Sequence, residues 1–359
     1  MSKVPVGVVG AAGLAGQQFL SALARHPGFS VVRVAGSQRS AGKSLAEALR
    51  DERGASRWCA EGEPPESLLG LTVEDAAHFD PRGLAVVFSA VESDAARELE
   101  ARFAQDVPVV STASAYRYES DIPIFLPGVN FGHAPLLRVQ QQRRNWKGFI
   151  TPIPNCTTTG LAISLKPLHD AFGISRVLMT SLQSCSGAGR SPGVIGLDII
   201  DNVIPFIPKE EEKVERETQK ILGTLSGDEI APLALPVSAT CTRVPVLEGH
   251  TEAVYVSLKK RATPAEAIEV MRSFGQDLQG LGLPSLPEKL IVVREDPYRP
   301  QPRLDRDTFG GLATVVGRVR EDPALENGLK YVLVSHNTKM GAAKGAILVA
   351  EYLSSAGYL

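Results

Sequence analysis

Short apolar runs and helical spacings alternate along the first part of the chain. Val4–Gly10 is a buried-strand pattern, and the spacing over Leu14–Arg25 brings Leu14, Phe19, Leu20 and Leu23 largely to one side of a helix. Val31–Ala35 and Ala85–Ser89 read as further strands, Asp94–Gln105 as a helix, and Val107–Ser111 as another strand. Repeated βαβ units predict a Rossmann-like parallel sheet with helices on both faces. The pattern then changes. Arg176–Gln183, Val237–Val244, Thr251–Lys259, Lys289–Val293, Thr314–Val319 and Lys330–Ser335 read as strands, with helical stretches at Glu210–Leu222 and Pro264–Gln279. This predicts an α+β domain built on a mixed sheet with long crossovers. Gly341–Ser354 reads as a small-sided helix that can pack back on the first domain, and the polar Gln140–Lys147 reads as an exposed connection. The expected class is α/β, with a first domain over residues 1–155, completed by residues 337–359, and a second over 156–336.

Composition narrows the function. A chain of 359 residues accommodates two domains, and 43% hydrophobic against 22% charged residues argues against disorder. Net charge is −2, with Lys and Arg spread throughout, so no footprint for nucleic acid or a membrane surface is expected. A locally basic site for a small anion remains compatible with that balance. Cys59, Cys156, Cys185 and Cys241 form no CxxC pair and have no His at ligand spacing. No metal site is expected, and the thiols are expected to be free in a reducing compartment. Lys3 with Val4–Ala15 has some likeness to a short signal peptide, but glycines at 7, 10, 13 and 16 suit a strand and tight turn better. No apolar run approaches a membrane span, and the expected location is the cytosol.

Three stretches carry chemistry. Gly7-Val-Val-Gly10-Ala-Ala-Gly13-Leu14-Ala15-Gly16 follows a strand and opens a helix, the context of a dinucleotide fingerprint, although its GxxGxxG spacing is looser than GxGxxG. Tight strand–helix packing without a ligand is the structural alternative. Gly36–Lys43 follows the second strand and holds Ser37, Arg39 and Ser40 where an NAD site usually carries an acidic residue. Arg39 can grip a phosphate, which favours NADP over NAD, against the alternative of a solvated turn. Pro154-Asn155-Cys156-Thr-Thr-Thr-Gly160 leads into the apolar Leu161–Leu168. A helix beginning just after Cys156 would favour its thiolate through the dipole, whereas a lone Cys there is more often a buried structural thiol. Its company raises its standing: Gln183 ends a strand, Ser186-Gly187-Ala-Gly-Arg190 follows, and Arg243 and His250 flank a turn. A His can act as acid/base near neutral pH, although one at a turn is usually a surface residue.

Together, Pro154–Gly160, Gln183, Ser186–Arg190 and Arg243–His250 resemble the aspartate-semialdehyde dehydrogenases, closest to the archaeal and fungal branch. The likeness spans nearly the whole chain. It implies an NADP-binding Rossmann-like domain and a catalytic and dimerisation domain. It makes Cys156 the nucleophile, Gln183 the residue that orients the acyl group and His250 the acid/base. It gives Arg243 the substrate carboxylate, Glu210 the substrate amine, and Arg117, Asn155 and Lys213 the phosphate. Gly10, Gly13, Leu14, Ala15, Gly16, Ser37, Arg39, Ser40, Ser186, Gly187, Asn337 and Gly341 fall on its cofactor segments. The implied reaction is NADPH-dependent conversion of 4-phosphoaspartate to aspartate 4-semialdehyde through a Cys thioester, feeding lysine, methionine and threonine synthesis, in a homodimer or homotetramer. Departures fall at Ala12, Ala15, Gly128 and Thr242, where the family usually has Thr, Val, Glu and Asn. A malonyl-CoA or succinyl-CoA type of reductase and a non-catalytic NADP-binding sensor or scaffold remain as alternatives.

Overall fold

Val-rich runs bounded by turns pair into a parallel sheet across the first half of the chain. The computed structural model describes residues 3–189, 194 and 196–359. Its first sheet contains β1 (Val4–Val9), β2 (Phe29–Gly36), β3 (Val73–Asp75), β4 (Val86–Ser89), β5 (Val109–Ser111) and β6 (Ile150–Pro152). They run in the order β3-β2-β1-β4-β5-β6, and every neighbouring pair is parallel. All of β4 is buried, as a parallel strand covered on both faces must be. The strand order reverses between β1 and β4. Ligands of open α/β sheets bind beyond the carboxyl ends of the strands at such a reversal, and the Gly10 turn lies there.

The second sheet is mixed. Its strands are β7 (Ile174–Gln183), β10 (Val237–Arg243), β11 (His250–Leu258), β12 (Ile291–Arg294), β13 (Thr314–Asp322) and β14 (Gly328–Ser335), in the order β10-β7-β11-β14-β13-β12. Between β7 and β10 lies a small ribbon of β8 (Thr224–Ser226) and β9 (Glu229–Ala231). Along β7, Val177, Met179, Ser181 and Gln183 point inward while Leu178, Thr180 and Leu182 point out. The inner face packs under the Cys156–Phe172 helix, whose Leu161, Ile163, Leu165 and Leu168 join Val177, Val254, Val256 and Leu333 in one core. The Lys344–Ser355 helix returns to the first sheet, where Ala346, Ile347, Val349, Ala350 and Leu353 pack with Phe19, Leu20, Leu23 and Phe88.

Three readings of the sequence need correction. Gln140–Lys147 is no exposed connection: a helix spans Leu136–Arg144 and buries Leu136, Leu137 and Gln140. The Gln140 amide closes on the Ile150 peptide, accepting from its N–H at 2.6 Å and donating to its carbonyl at 2.9 Å. A polar residue thus fills a core position by satisfying backbone groups at the end of the sheet. The helix expected over Pro264–Gln279 stops at Ser273, because Gly275 turns into the left-handed region at φ +79° and a 3₁₀ segment follows. The last helix starts at Lys344, preceded by a wide turn over Lys339–Ala343.

Candidate active site

Asn155 starts the helix that carries Cys156. Its Oδ1 accepts the N–H groups of Thr157 and Thr158 at 2.9 and 3.3 Å, which caps the first turn. Its Nδ2 donates to Glu210 Oε1 at 2.9 Å. The N–H of Thr159 bonds back to the Asn155 carbonyl, and the N–H of Asn155 goes to Glu217. Among the described residues, this leaves the N–H of Cys156 itself as the donor of this turn available to a carbonyl oxygen.

Cys156 Sγ stands 3.1 Å from His250 Nε2. His250 opens β11 and is fully buried, contrary to the surface position that a turn suggests. The Ser184 N–H donates to its Nδ1 at 3.1 Å, so the neutral imidazole carries its proton on Nε2, facing the sulfur. Burial pushes the His250 imidazole down to about 3, with the Arg243 charge adding to it. Burial likewise opposes the thiolate that the helix dipole favours. Burial pushes the Cys156 thiol up to about 12, and Glu210 adds to this, while Arg243, Arg117 and Lys213 oppose it. Both shifts favour a neutral pair, because a dry site penalises either charge.

Other expected residues close around this pair. Arg243 ends β10 beside Gln183 at the end of β7, and its Nη1 donates to the Ser184 carbonyl at 2.8 Å. A Cβ on Gly187 would come within 2.9 Å of Arg243 Nη1 and 3.1 Å of His250 Cε1, so glycine lets this turn approach both. A Cβ on Gly341 would lie 2.9 Å from Cys156 Cβ. Asn337 Oδ1 accepts from Ser184 Oγ and the Gly249 N–H, and its Nδ2 donates to Ser186 Oγ. The Gln183 amide instead donates to Ser181 Oγ at 3.2 Å, with no hydrogen bond to Cys156 among the described residues. Arg190, the last residue of the glycine-rich stretch, lies outside the described residues.

A second group lines the Asn155 side. Glu210 receives Asn155 Nδ2 and lies 3.5 Å from Lys213 Nζ. Arg117 is buried, with Nη1 on Glu217 at 3.0 Å, Nη2 on the Thr112 carbonyl at 2.9 Å, and Nε without a partner. A buried guanidinium with one unpartnered nitrogen has a donor left for an anion. Sequence reasoning missed Glu217, Lys220 and Ser184.

The glycine turn has the shape of a phosphate cradle. Gly10 has φ +83°, and a Cβ there would strike the Ala90 carbonyl at 2.4 Å. A Cβ on Gly16 would fall 2.1 Å from the Gly10 carbonyl, so the Leu14–Leu23 helix starts hard against the turn. That helix has no side-chain cap and no acidic residue in its first turn, which leaves its N-terminal N–H groups and dipole for a pyrophosphate. Ser37 and Arg39 are exposed on the turn beyond β2, and Ser40 closes that turn onto the Ser37 carbonyl.

A glycine turn with the shape of a phosphate cradle and a buried Cys–His pair in one chain mark an oxidoreductase of the semialdehyde dehydrogenase class. The profile "Semialdehyde dehydrogenase, NAD binding domain" matches residues 5–135, and "Semialdehyde dehydrogenase, dimerisation domain" matches residues 165–340. The chain belongs to the aspartate-semialdehyde dehydrogenase family. It is 45% identical over 98% of its length to the enzyme of that name from Methanothermobacter thermautotrophicus, covering 99% of that protein. It is 40% identical to that from Saccharomyces cerevisiae, covering 98% of both chains. The crystal structure of aspartate semialdehyde dehydrogenase with NADP from Candida albicans superposes with a TM-score of 0.88 at 38% identity, covering 99% of this chain and 100% of that one. The Vibrio cholerae aspartate semialdehyde dehydrogenase II complexed with ASA gives 0.77 at 26% identity, covering 99% of both. The acyl-CoA reductase and scaffold alternatives are not favoured.

Proposed function

We propose that this chain reduces 4-phospho-L-aspartate to L-aspartate 4-semialdehyde with NADPH, supplying lysine, methionine and threonine synthesis. The observation that carries this reading is the Cys156–His250 contact of 3.1 Å at a capped helix start, ringed by Arg243, Arg117, Glu210 and Lys213. Three cations beside the thiol suit a substrate bearing a carboxylate and a phosphate.

Residues 1–155 with 337–359 form the NADP-binding unit in this reading, and residues 156–336 the catalytic and dimerisation unit. Gly10, Gly13, Leu14, Ala15 and Gly16 would hold the pyrophosphate, Ser37, Arg39 and Ser40 the 2′-phosphate, and Ser186, Gly187, Asn337 and Gly341 the nicotinamide end. When bound, NADPH supplies the hydride that reduces the acyl carbon. Cys156 attacks the acyl phosphate, the C–S bond forms and phosphate leaves. The Cys156 N–H faces the developing carbonyl oxyanion. Sulfur returns as leaving group when the aldehyde forms. The proton on His250 Nε2 is placed to stabilise negative charge on sulfur. As the acid/base of the cycle His250 takes the Nδ1–H tautomer, whose proton the Ser184 hydroxyl 3.2 Å away can accept, and its freed Nε2 takes the thiol proton as the C–S bond forms and returns it to sulfur as the aldehyde forms. Gln183 orients the acyl group. Arg243, whose planar fork suits a carboxylate, binds that end of the substrate, and Glu210 meets the amine. Arg117, Lys213 and the second Nδ2 hydrogen of Asn155 hold phosphate.

Cys156, Cys185 and Cys241 form no disulfide, and no described helix is long and apolar enough to cross a membrane; both agree with a cytosolic reading. The exposed Leu178, Leu182, Leu197, Ile200, Phe206 and Leu247 on and around the outer face of the second sheet support a homodimer or homotetramer. Purified protein given aspartate semialdehyde, phosphate and NADP should produce nicotinamide absorbance that depends on all three. Absorbance that requires coenzyme A instead of phosphate would overturn the reading.

A further inference from the structure

The carboxylate of Glu217 is fully buried, and none of the roles above uses it. Its Oε2 accepts the N–H of Asn155 at 2.6 Å, and its Oε1 accepts Arg117 Nη1 at 3.0 Å and the Tyr118 hydroxyl at 3.4 Å. One side chain thereby holds the residue that leads into Cys156 together with the arginine facing phosphate. These two reach the site from different places, Arg117 from the turns beyond β5 and Asn155 from beyond β6.

Glu217 belongs to the Glu210–Ile221 helix and stands seven residues after Glu210, on the same face two turns along. Lys220, one turn further, donates Nζ to the carbonyls of Arg117, Glu119 and Ile122 at 2.8, 2.6 and 2.7 Å. One helix face therefore grips the Asn155 side chain, the Asn155 peptide, the Arg117 guanidinium and the Arg117 backbone. With two of its nitrogens tied, the rigid guanidinium presents its unpartnered Nε in a fixed direction.

We infer that Glu217 is a positioning residue for the reaction, fixing Arg117 and the Asn155–Cys156 segment in one mutual geometry so that phosphate donor and nucleophile stay matched during acyl transfer. The inference rests on the site roles proposed above. A carboxylate is required because both partners are donors, and each oxygen serves one of them. An amide has a single acceptor oxygen, so Glu217→Gln can satisfy Asn155 or Arg117 but not both.

The test uses the intact oligomer with aspartate semialdehyde, NADP and inorganic phosphate. Glu217→Gln should raise KM for phosphate and lower kcat, each by about tenfold or more, with NADP affinity within about threefold of wild type. A merely structural role would move all three together. Arg117→Ala should also raise the phosphate KM, and adding Glu217→Gln to it should raise that KM no further, because residues acting through one contact are not additive. Should the glutamine variant fail to fold, Glu217→Asp keeps the charge but shortens the reach, and should still raise the phosphate KM. If Arg117→Ala raises that KM while the Glu217 variants leave it unchanged, or if the effects add, the positioning role is overturned and the site reading stands. If Arg117→Ala leaves the phosphate KM unchanged, the phosphate-site reading falls, and this inference with it.

Discussion

Asn155→Ala separates the two jobs of the residue before the nucleophile. The substitution removes the Oδ1 cap on Thr157 and Thr158 and the Nδ2 bond to Glu210, and keeps the main-chain bond to Glu217. Losing an Asn cap costs about 0.5–2 kcal/mol. Losing a hydrogen bond to a charged group costs about 1.5–3 kcal/mol. The second term is partly offset, because Glu210 keeps Lys213 and the Thr157 hydroxyl at 3.5 Å. The expected sum is a stability loss of roughly 2–4 kcal/mol. Asn155→Ser keeps a capping oxygen but cannot reach Glu210, and should lose only about half as much. Urea unfolding of the three proteins gives the stabilities, and iodoacetamide alkylation of Cys156 reports whether the first turn still presents the thiol. An Asn155→Ala protein within about 0.5 kcal/mol of wild type, the noise of a surface substitution, would refute the cap argument.

Three further outcomes follow from named contacts. Burial raises the Glu252 carboxyl well above its ordinary 4.5, and neither of its oxygens has a partner among the described residues. The folded state therefore holds this proton more tightly than the unfolded chain, and wild-type stability falls as pH rises from about 4.5 toward the folded value; Glu252→Gln should stabilise at pH 8 relative to its effect at pH 4, and equal effects on thermal melts at both would refute this. Gly341→Ala would put a methyl group 2.9 Å from Cys156 Cβ, so kcat should fall by about 10²-fold through misplacement of the sulfur, and a value within threefold of wild type would refute the packing argument. Arg39→Ala should cost about one to two orders of magnitude in NADP-over-NAD selectivity, the share of one charge-assisted contact of about 1.5–3 kcal/mol; equal use of both cofactors by the wild type would count against that role.

The architecture was legible where the pattern was periodic. β1, the Leu14–Leu23 helix and the alternating β7 all show their burial in their spacing. The Leu136–Arg144 helix was not, because only Leu136, Leu137 and Val139 are apolar in it and Gln140 hides its burial in two bonds to Ile150. The motif around Cys156 pointed to a nucleophile, yet its protonation depends on burial by elements distant in sequence, which no local motif encodes. Glu217 and Lys220 read as ordinary charges on a polar helix. The signal that could have found them is their spacing, since Glu210 and Glu217 repeat after two turns. Their partners, Arg117 and the Arg117–Ile122 loop, are about a hundred residues away, and only the folded chain brings them together.

The most direct test of the account is the covalent state of Cys156. Enzyme mixed with aspartate semialdehyde and NADP in the absence of phosphate should accumulate an aspartyl thioester, visible by intact mass and mapped by peptide digestion. That adduct should form on Cys156 alone and be released on adding phosphate, and Cys156→Ala should show neither adduct nor turnover while retaining NADP binding. An adduct on another residue, or substantial turnover by Cys156→Ala, would contradict it.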